Sequence, residues 1–196
     1  MTSEIEDMSF KRKLQKWRNS KMNYMNLEKN ICDTVKEGQI KIGYDEGAVR
    51  LYYPIESIAE LLEIDNTTIQ DMQALLMDFN KVCSERLGDI EISNKEERFC
   101  FMIPKEGTKY INENYKDNPF LREFIENITK PNCTLQDMLK VFHHYSQDIY
   151  FEENDELGYI IYFKDGTIDE YVYCLKFDEF GATYHRFTKL DYQKLI

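Results

Sequence analysis

Gly88-Asp89-Ile90-Glu91-Ile92-Ser93-Asn94-Lys95-Glu96-Glu97-Arg98-Phe99-Cys100-Phe101-Met102-Ile103 is the stretch on which the fold turns. Ile90-Glu91-Ile92 and the run from Arg98 to Ile103 are rich in the branched and aromatic residues that suit a pleated strand. The polar run from Ser93 to Glu97 between them predicts a turn, so the whole is a two-stranded ribbon. Gly88, just ahead of it, ends a helix. Lys105-Glu106-Gly107-Thr108-Lys109-Tyr110-Ile111, just behind it, starts another.

Upstream, the apolar spacing predicts a long helix over 68–86, with Ile69, Met72, Leu76, Cys83 and Leu87 on one face. A short helix over 56–63 buries Ile55, Ile58, Ala59 and Leu62. A strand at 49–53 is stopped by Pro54, which has no N–H to give a sheet ladder. A first helix over 22–41 gathers Tyr24, Leu27, Ile31, Val35, Gly38 and Ile42 into one arc. Helix, strand, helix, helix, ribbon and helix, in that order over 24–111, resemble the winged-helix superfamily. The resemblance implies a third helix that enters the major groove of DNA.

The residues of that helix argue against the implied task. With the stripe from Ile69 to Leu87 turned inward, Asp71, Asp78 and Glu85 point outward along one line, and Lys81 and Arg86 lie to the sides. Carboxylates facing a polyanion repel it and forgo the counterion release that drives non-specific binding. The ribbon offers Lys95 and Arg98 but also Glu91, Glu96 and Glu97. Sequence-specific DNA binding through the third helix is therefore not expected.

The rest of the chain predicts a smaller α+β portion. Phe120, Phe124 and Ile128 form an apolar ridge on a helical connector over 112–134. Thr134 is a candidate N-cap for a helix to Tyr145 that buries Leu135, Met138, Leu139 and Phe142. A meander follows: Gly158–Phe163, the turn pair Asp165-Gly166 as a tight hairpin, then 168–177 and 182–188. Tyr171, Tyr173, Leu175 and Phe177 alternate with Val172 and Cys174, so both sheet faces are partly apolar. Tyrosine-rich faces suit an interface, because each ring joins apolar area to a hydroxyl, and they equally suit burial within the protein. The expected fold class is α+β: a leader over 1–21, a winged-helix-like domain with helical extension over 22–130, and a small α+β subdomain over 131–196.

The 196 residues carry a net charge of −11, unevenly spread. Residues 1–21 hold six bases and three acids, 22–130 hold 13 and 21, and 131–196 hold 6 and 12. In the leader, Phe10, Leu14 and Trp17 share a helical face edged by Lys11, Arg12, Lys13, Lys16 and Arg18. It can fold back on the acidic body, act as an arm for a partner or nucleic acid, or rest on anionic lipid. Met1 to Asp7 is acidic and polar, unlike a signal peptide, and no apolar run is long enough for a membrane span. Five scattered cysteines with no C-x-x-C pair read as reduced, small hydrophobes, and the expected location is the cytoplasm.

No catalytic motif is legible. His143 and His144 are adjacent on a helix, about 100° apart, which is wrong for joint chelation. His143 flanks the apolar face and His144 points away from it. His185 can meet His143 or Cys174 only through tertiary folding. Glu152-Glu153-Asn154-Asp155-Glu156 reads as a charged loop without the ligand spacing of a calcium site. With eight glycines, neither G-x-G-x-x-G nor a phosphate loop occurs, and no serine sits in a nucleophile elbow. No cofactor or metal is expected.

Leu27-Glu28-Lys29-Asn30-Ile31, Val49-Arg50-Leu51-Tyr52-Tyr53-Pro54 and Gly88-Asp89-Ile90-Glu91-Ile92 resemble segments of a family of cytoplasmic proteins from low-GC, clostridia-like bacteria. The resemblance spans the whole chain and implies no activity, because that family has none assigned. The residues favour a non-enzymatic protein-interaction or regulatory module with a protein partner, a homo-oligomer being open. The alternatives are a nucleic-acid-linked regulator acting through Lys11, Arg12, Lys13, Lys16, Trp17 and Arg18, and an enzyme around His143, His185 and Cys174.

Overall fold

The computed structural model describes residues 24–44, 46–65 and 67–196, which form an α+β fold with two antiparallel sheets. In chain order the elements are α1 (Tyr24–Ile42), β1 (Val49–Pro54), α2 (Ile55–Leu61), α3 (Ile69–Leu87), β2 (Glu91–Lys95), β3 (Arg98–Ile103) and α4 (Lys105–Asn114). There follow α5 (Pro119–Ile128), α6 (Leu135–Tyr145), β4 (Ile149–Asn154), β5 (Gly158–Phe163), β6 (Val172–Asp178), β7 (Gly181–Phe187) and α7 (Lys189–Gln193). Two compact units result: 24–35 with Glu46–Ile111, and 36–44 with Asn112–Ile196.

In the first unit the sheet runs β1-β3-β2. Alternation of side chains across each strand sends Phe99, Phe101 and Ile103 of β3 inward, all three fully buried. They meet the apolar faces of the helices: Phe79 of α3 packs edge-on to Phe101 at 6.5 Å and tilted against Tyr24 at 5.8 Å. Thr68 caps α3 by accepting from the Asp71 N–H at 3.1 Å. Gly88 closes the helix at φ 71°, in the left-handed region that favours glycine. Gly107 permits α4 to pass that end closely, since a Cβ there would lie 2.2 Å from the Leu87 carbonyl oxygen. The expected five-residue turn of the ribbon is shorter than predicted. β2 extends through Lys95, which pairs with Arg98, so only Glu96 and Glu97 turn.

In the second unit the sheet runs β4-β5-β6-β7, with α5 and α6 on one face. The Phe120, Phe124, Ile128 ridge lies in the same core as Met138 and Phe142 of α6 and Ile161, Phe163, Tyr173 and Leu175 of the sheet. Asn118 caps α5 by accepting from the Phe120 N–H at 3.0 Å, and Thr134 forms a reciprocal capping box with Asp137 at the start of α6. Ile160, Val172, Cys174 and Tyr192 form a smaller cluster. Both faces of β6 are thus partly apolar, as its alternation predicts.

Two expectations for this half are corrected, and one element is new. Glu152, Glu153 and Asn154 are not loop but the end of β4, whose Phe151 opposes Ile161 on β5. An edge strand tolerates such charge because its outer side faces water. Asp165-Gly166 does not make a tight hairpin. β5 and β6 pair only over Tyr159↔Leu175, Ile160↔Cys174 and Ile161↔Tyr173, and 164–171 form a longer connection. Side chains hold that connection: Asp165 accepts from the Thr167 N–H and Asp169 from the Tyr171 N–H, each at 3.0 Å. Finally, α7, capped by Thr188 at the Asp191 N–H, was not anticipated; with five residues it is too short to show a period.

Candidate functional site

The outward face of the first sheet collects what its inward face excludes. Alternation places Arg50, Tyr52 and Pro54 of β1 on it, with Glu91, Ser93 and Lys95 of β2 and Arg98, Cys100 and Met102 of β3. Antiparallel register orders them in three rows: Arg50–Met102–Glu91, Tyr52–Cys100–Ser93 and Pro54–Arg98–Lys95. The face forms a shallow cleft of about 790 Å³, lined by Arg50, Tyr52, Ser93, Asn94, Lys95, Glu96, Arg98 and Cys100. The Gln73 amide donates to Asn94 at 2.7 Å, which ties the ribbon to α3.

Charge distinguishes this face. Elsewhere in the unit, Lys29 pairs with Asp33, Lys81 with Asp78, Arg86 with Glu28 and Lys105 with Glu46. Among the described residues Arg50, Lys95 and Arg98 make no ion pair and no hydrogen bond through their side chains. Tyr52 between them is 61% exposed. A tyrosine this open, flanked by uncompensated cations, is suited to an anionic, partly apolar partner.

Helix α3 differs from its expected orientation. Leu75 and Phe79 are buried with Met72, Leu76, Cys83 and Leu87, which rotates the inward arc. The solvent-facing line is Gln70, Gln73, Met77, Lys81 and Ser84, while Asp71 and Asp78 are half-buried on its flank and Glu85 is exposed. Lys81 donates to Asp78 at 3.2 Å, and Arg86 grips Glu28 at 2.5 and 2.7 Å. Glu28 also accepts from the Cys83 thiol at 3.6 Å, and burial together with that carboxylate pushes the thiol pKa up to about 12. The two cations of the C-terminal half of α3 therefore have carboxylate partners. Met77 and Val82 are 65% and 54% exposed on the same helix.

In the second unit Arg186, 7% exposed in its side chain, lies between Glu37 at 3.0 Å and Asp169 at 3.2 Å, over the Tyr171 ring at 3.6 Å. Glu37 also accepts from the Tyr184 hydroxyl at 2.7 Å. Burial opposes ionisation of Glu37, yet Arg186, Lys41 and Tyr184 outweigh it and hold its pKa below the ordinary 4.5. Burial and the Glu37 charge drive the Tyr184 pKa well up. Shifted groups often mark active sites, but this cluster is largely buried at the edge of the core with its carboxylates occupied by Arg186, which fits an internal brace.

His143 and His144 are both exposed, so His143 does not flank the core as predicted; Met138, Val141 and Phe142 are the buried residues of α6. His144 meets Glu123 at 2.9 Å. His185 opposes Cys174 across β6 and β7. Cys174 belongs to the cluster with Ile160 and Val172, whereas α6 packs on the sheet face of Tyr173 and Leu175, so the sheet separates His143 from the other two. Among the described residues no group of three or more His, Cys, Asp or Glu could hold a metal. A second cleft, about 550 Å³, holds Tyr150 stacked on Tyr162 at 4.7 Å, with Lys164, Lys189 and Tyr192. Tyr150 donates to Glu152, and that bond pushes its pKa up to about 12, so it is a poor acid at neutral pH.

Lys11, Arg12, Lys13, Lys16, Trp17 and Arg18 lie outside the described residues. No described helix is long and apolar enough to cross a membrane. Of the tyrosines expected on strand faces, Tyr171 and Tyr173 are buried, while Tyr52 is exposed. A family model described as a domain of unknown function, E. rectale gene description (DUF3877), matches residues 24–196. Neither a curated protein nor a solved structure matches the chain.

Proposed function

The chain belongs to the DUF3877 family, and from that premise we propose a non-enzymatic protein-interaction or regulatory module, with a winged-helix-like first unit that does not read DNA through α3. The element order α1-β1-α2-α3-β2-β3 with sheet order β1-β3-β2 supports the winged-helix comparison. The observation that carries the interaction reading is the outer sheet face, where Arg50, Lys95 and Arg98 stand without ion-pair partners among the described residues around exposed Tyr52, in a chain of net charge −11. Interfaces favour tyrosine and arginine because both bring large contact area with polar ends. The pairing of Lys81 and Arg86 with carboxylates, and the flanking Asp71, Asp78 and Glu85, argue against α3 as a groove reader.

The test is affinity capture by the full-length tagged chain from host lysate, with and without nuclease. A stoichiometric protein that survives nuclease supports the module. Partners that vanish with nuclease support the alternative, a nucleic-acid-linked regulator whose charge comes from Lys11, Arg12, Lys13, Lys16 and Arg18. In that case a chain lacking residues 1–21 loses a salt-sensitive binding activity.

A further inference from the structure

On the outer face of the first sheet, the cations occupy the two end rows and the aromatic ring the middle one. Arg50 lies in the row with Met102 and Glu91, Arg98 and Lys95 in the row with Pro54, and Tyr52 and Cys100 between them. The end rows are four residues apart along each strand, which at the rise of a β-strand is ~14 Å. An extended peptide has the same rise. Its side chains on one face recur every second residue, so carboxylates four positions apart reach both cationic ends while the residue midway rests on Tyr52.

We propose that this face binds an extended acidic segment of a partner protein, with two carboxylates four positions apart bracketing an apolar or aromatic residue. The inference rests on the protein-contact function above and names the chemistry of the partner. Charge complementarity is its basis: among the described residues, three cations without ion pairs line the cleft against Glu96, and Glu91 stands at the far edge of the Arg50 row, beyond Met102. A nucleic acid is a poorer fit. Its phosphates recur along the whole strand and would also meet Glu91 and Glu96, and the cleft offers one exposed ring where single-strand binders use several. The net charge of −11 repels a polyanion at longer range.

The experiment uses the full chain and fluorescein-labelled ten-residue peptides. Each carries two glutamates spaced by two, four or six positions, with phenylalanine midway; a control carries glutamine in place of both glutamates. Fluorescence anisotropy is expected to show the four-position peptide binding about tenfold more tightly than the glutamine control, the worth of roughly two exposed ion pairs. The other spacings should be weaker. The Arg50→Ala, Arg98→Ala double variant should lose the preference, and Tyr52→Ala should weaken binding without altering circular dichroism.

Equal binding of the glutamine control, or tighter binding of a ten-nucleotide oligothymidine, overturns the proposal. Capture of a nuclease-resistant partner that the double variant holds undiminished overturns this inference alone and leaves the protein-contact function standing. Spacing-dependent peptide binding without any captured protein supports the chemistry of the face and rejects that function.

Discussion

Arg86, in the last turn of α3, closes a two-pronged ion pair on Glu28 of α1, with Nε to Oε1 at 2.5 Å and Nη2 to Oε2 at 2.7 Å. The pair fixes a cation that a DNA-reading helix would present to phosphate. Arg86→Ala leaves Glu28, buried and bonded to the Cys83 thiol, without its guanidinium. Because Arg86 is partly open to solvent, we expect a loss of about 1–2 kcal/mol in denaturant unfolding. An Arg86→Ala variant as stable as the parent contradicts the pair as a structural tie.

Glu37 gives the second unit an acid limb. Its folded pKa is held below 4.5, chiefly by Arg186 working against burial, so its contribution is complete above pH 4.5 and fades as pH falls through the lower folded value. Glu37→Gln should therefore destabilise the chain at pH 7, and the gap between variant and parent should narrow below pH 4.5. Unfolding curves at pH 7, 5 and 3 read this directly. A gap unchanged at pH 3 contradicts the ion pair.

Phe120 touches Phe142 at 4.9 Å, Phe163 at 4.7 Å and Tyr173 at 5.6 Å, and is fully buried. Phe120→Ala should cost about 3–5 kcal/mol, and Phe120→Leu markedly less, since leucine refills part of the space. Thermal or denaturant unfolding of the two variants checks the order. Equal losses would mean that the ring stack does not organise this core.

Thiol reactivity separates the cysteines by position. Cys83, with its pKa pushed up to about 12, has on the order of one thiolate in ten thousand at pH 8, and Cys32 is fully buried. Cys100 lines the cleft. Maleimide labelling of the native chain, read by peptide mass spectrometry, should modify Cys100 well before Cys32 or Cys83. Labelling of Cys83 at the rate of Cys100 contradicts the burial described for α3.

The sequence was most legible where periods are long. The helices of the first half and the strands of the ribbon lie within a few residues of their expected bounds, because Leu27, Ile31 and Val35, or Phe99, Phe101 and Ile103, repeat with the helix or strand period. The outer face of the first sheet was less legible for a physical reason. Arg50 and Tyr52 are separated by more than 40 residues from Arg98 and Cys100, and only strand register brings them together. Alternation in Val49-Arg50-Leu51-Tyr52-Tyr53 could have marked two outward positions, but their neighbours come from pairing. β4 was hidden by Glu152 and Glu153, whose charge suggests a loop although an edge strand accepts it. The direction of α3 was misjudged because Leu75 and Phe79 were left out of its apolar arc.

Hydrogen exchange on the complex of the full chain with its nuclease-resistant captured partner tests the central claim most directly. If the chain works by protein contact through the outer sheet face, slowed exchange should concentrate in 49–54 and 91–103, and Arg50→Ala with Arg98→Ala should abolish it. Protection confined to 69–87, with those strands unchanged, would contradict the account and return the interaction to α3.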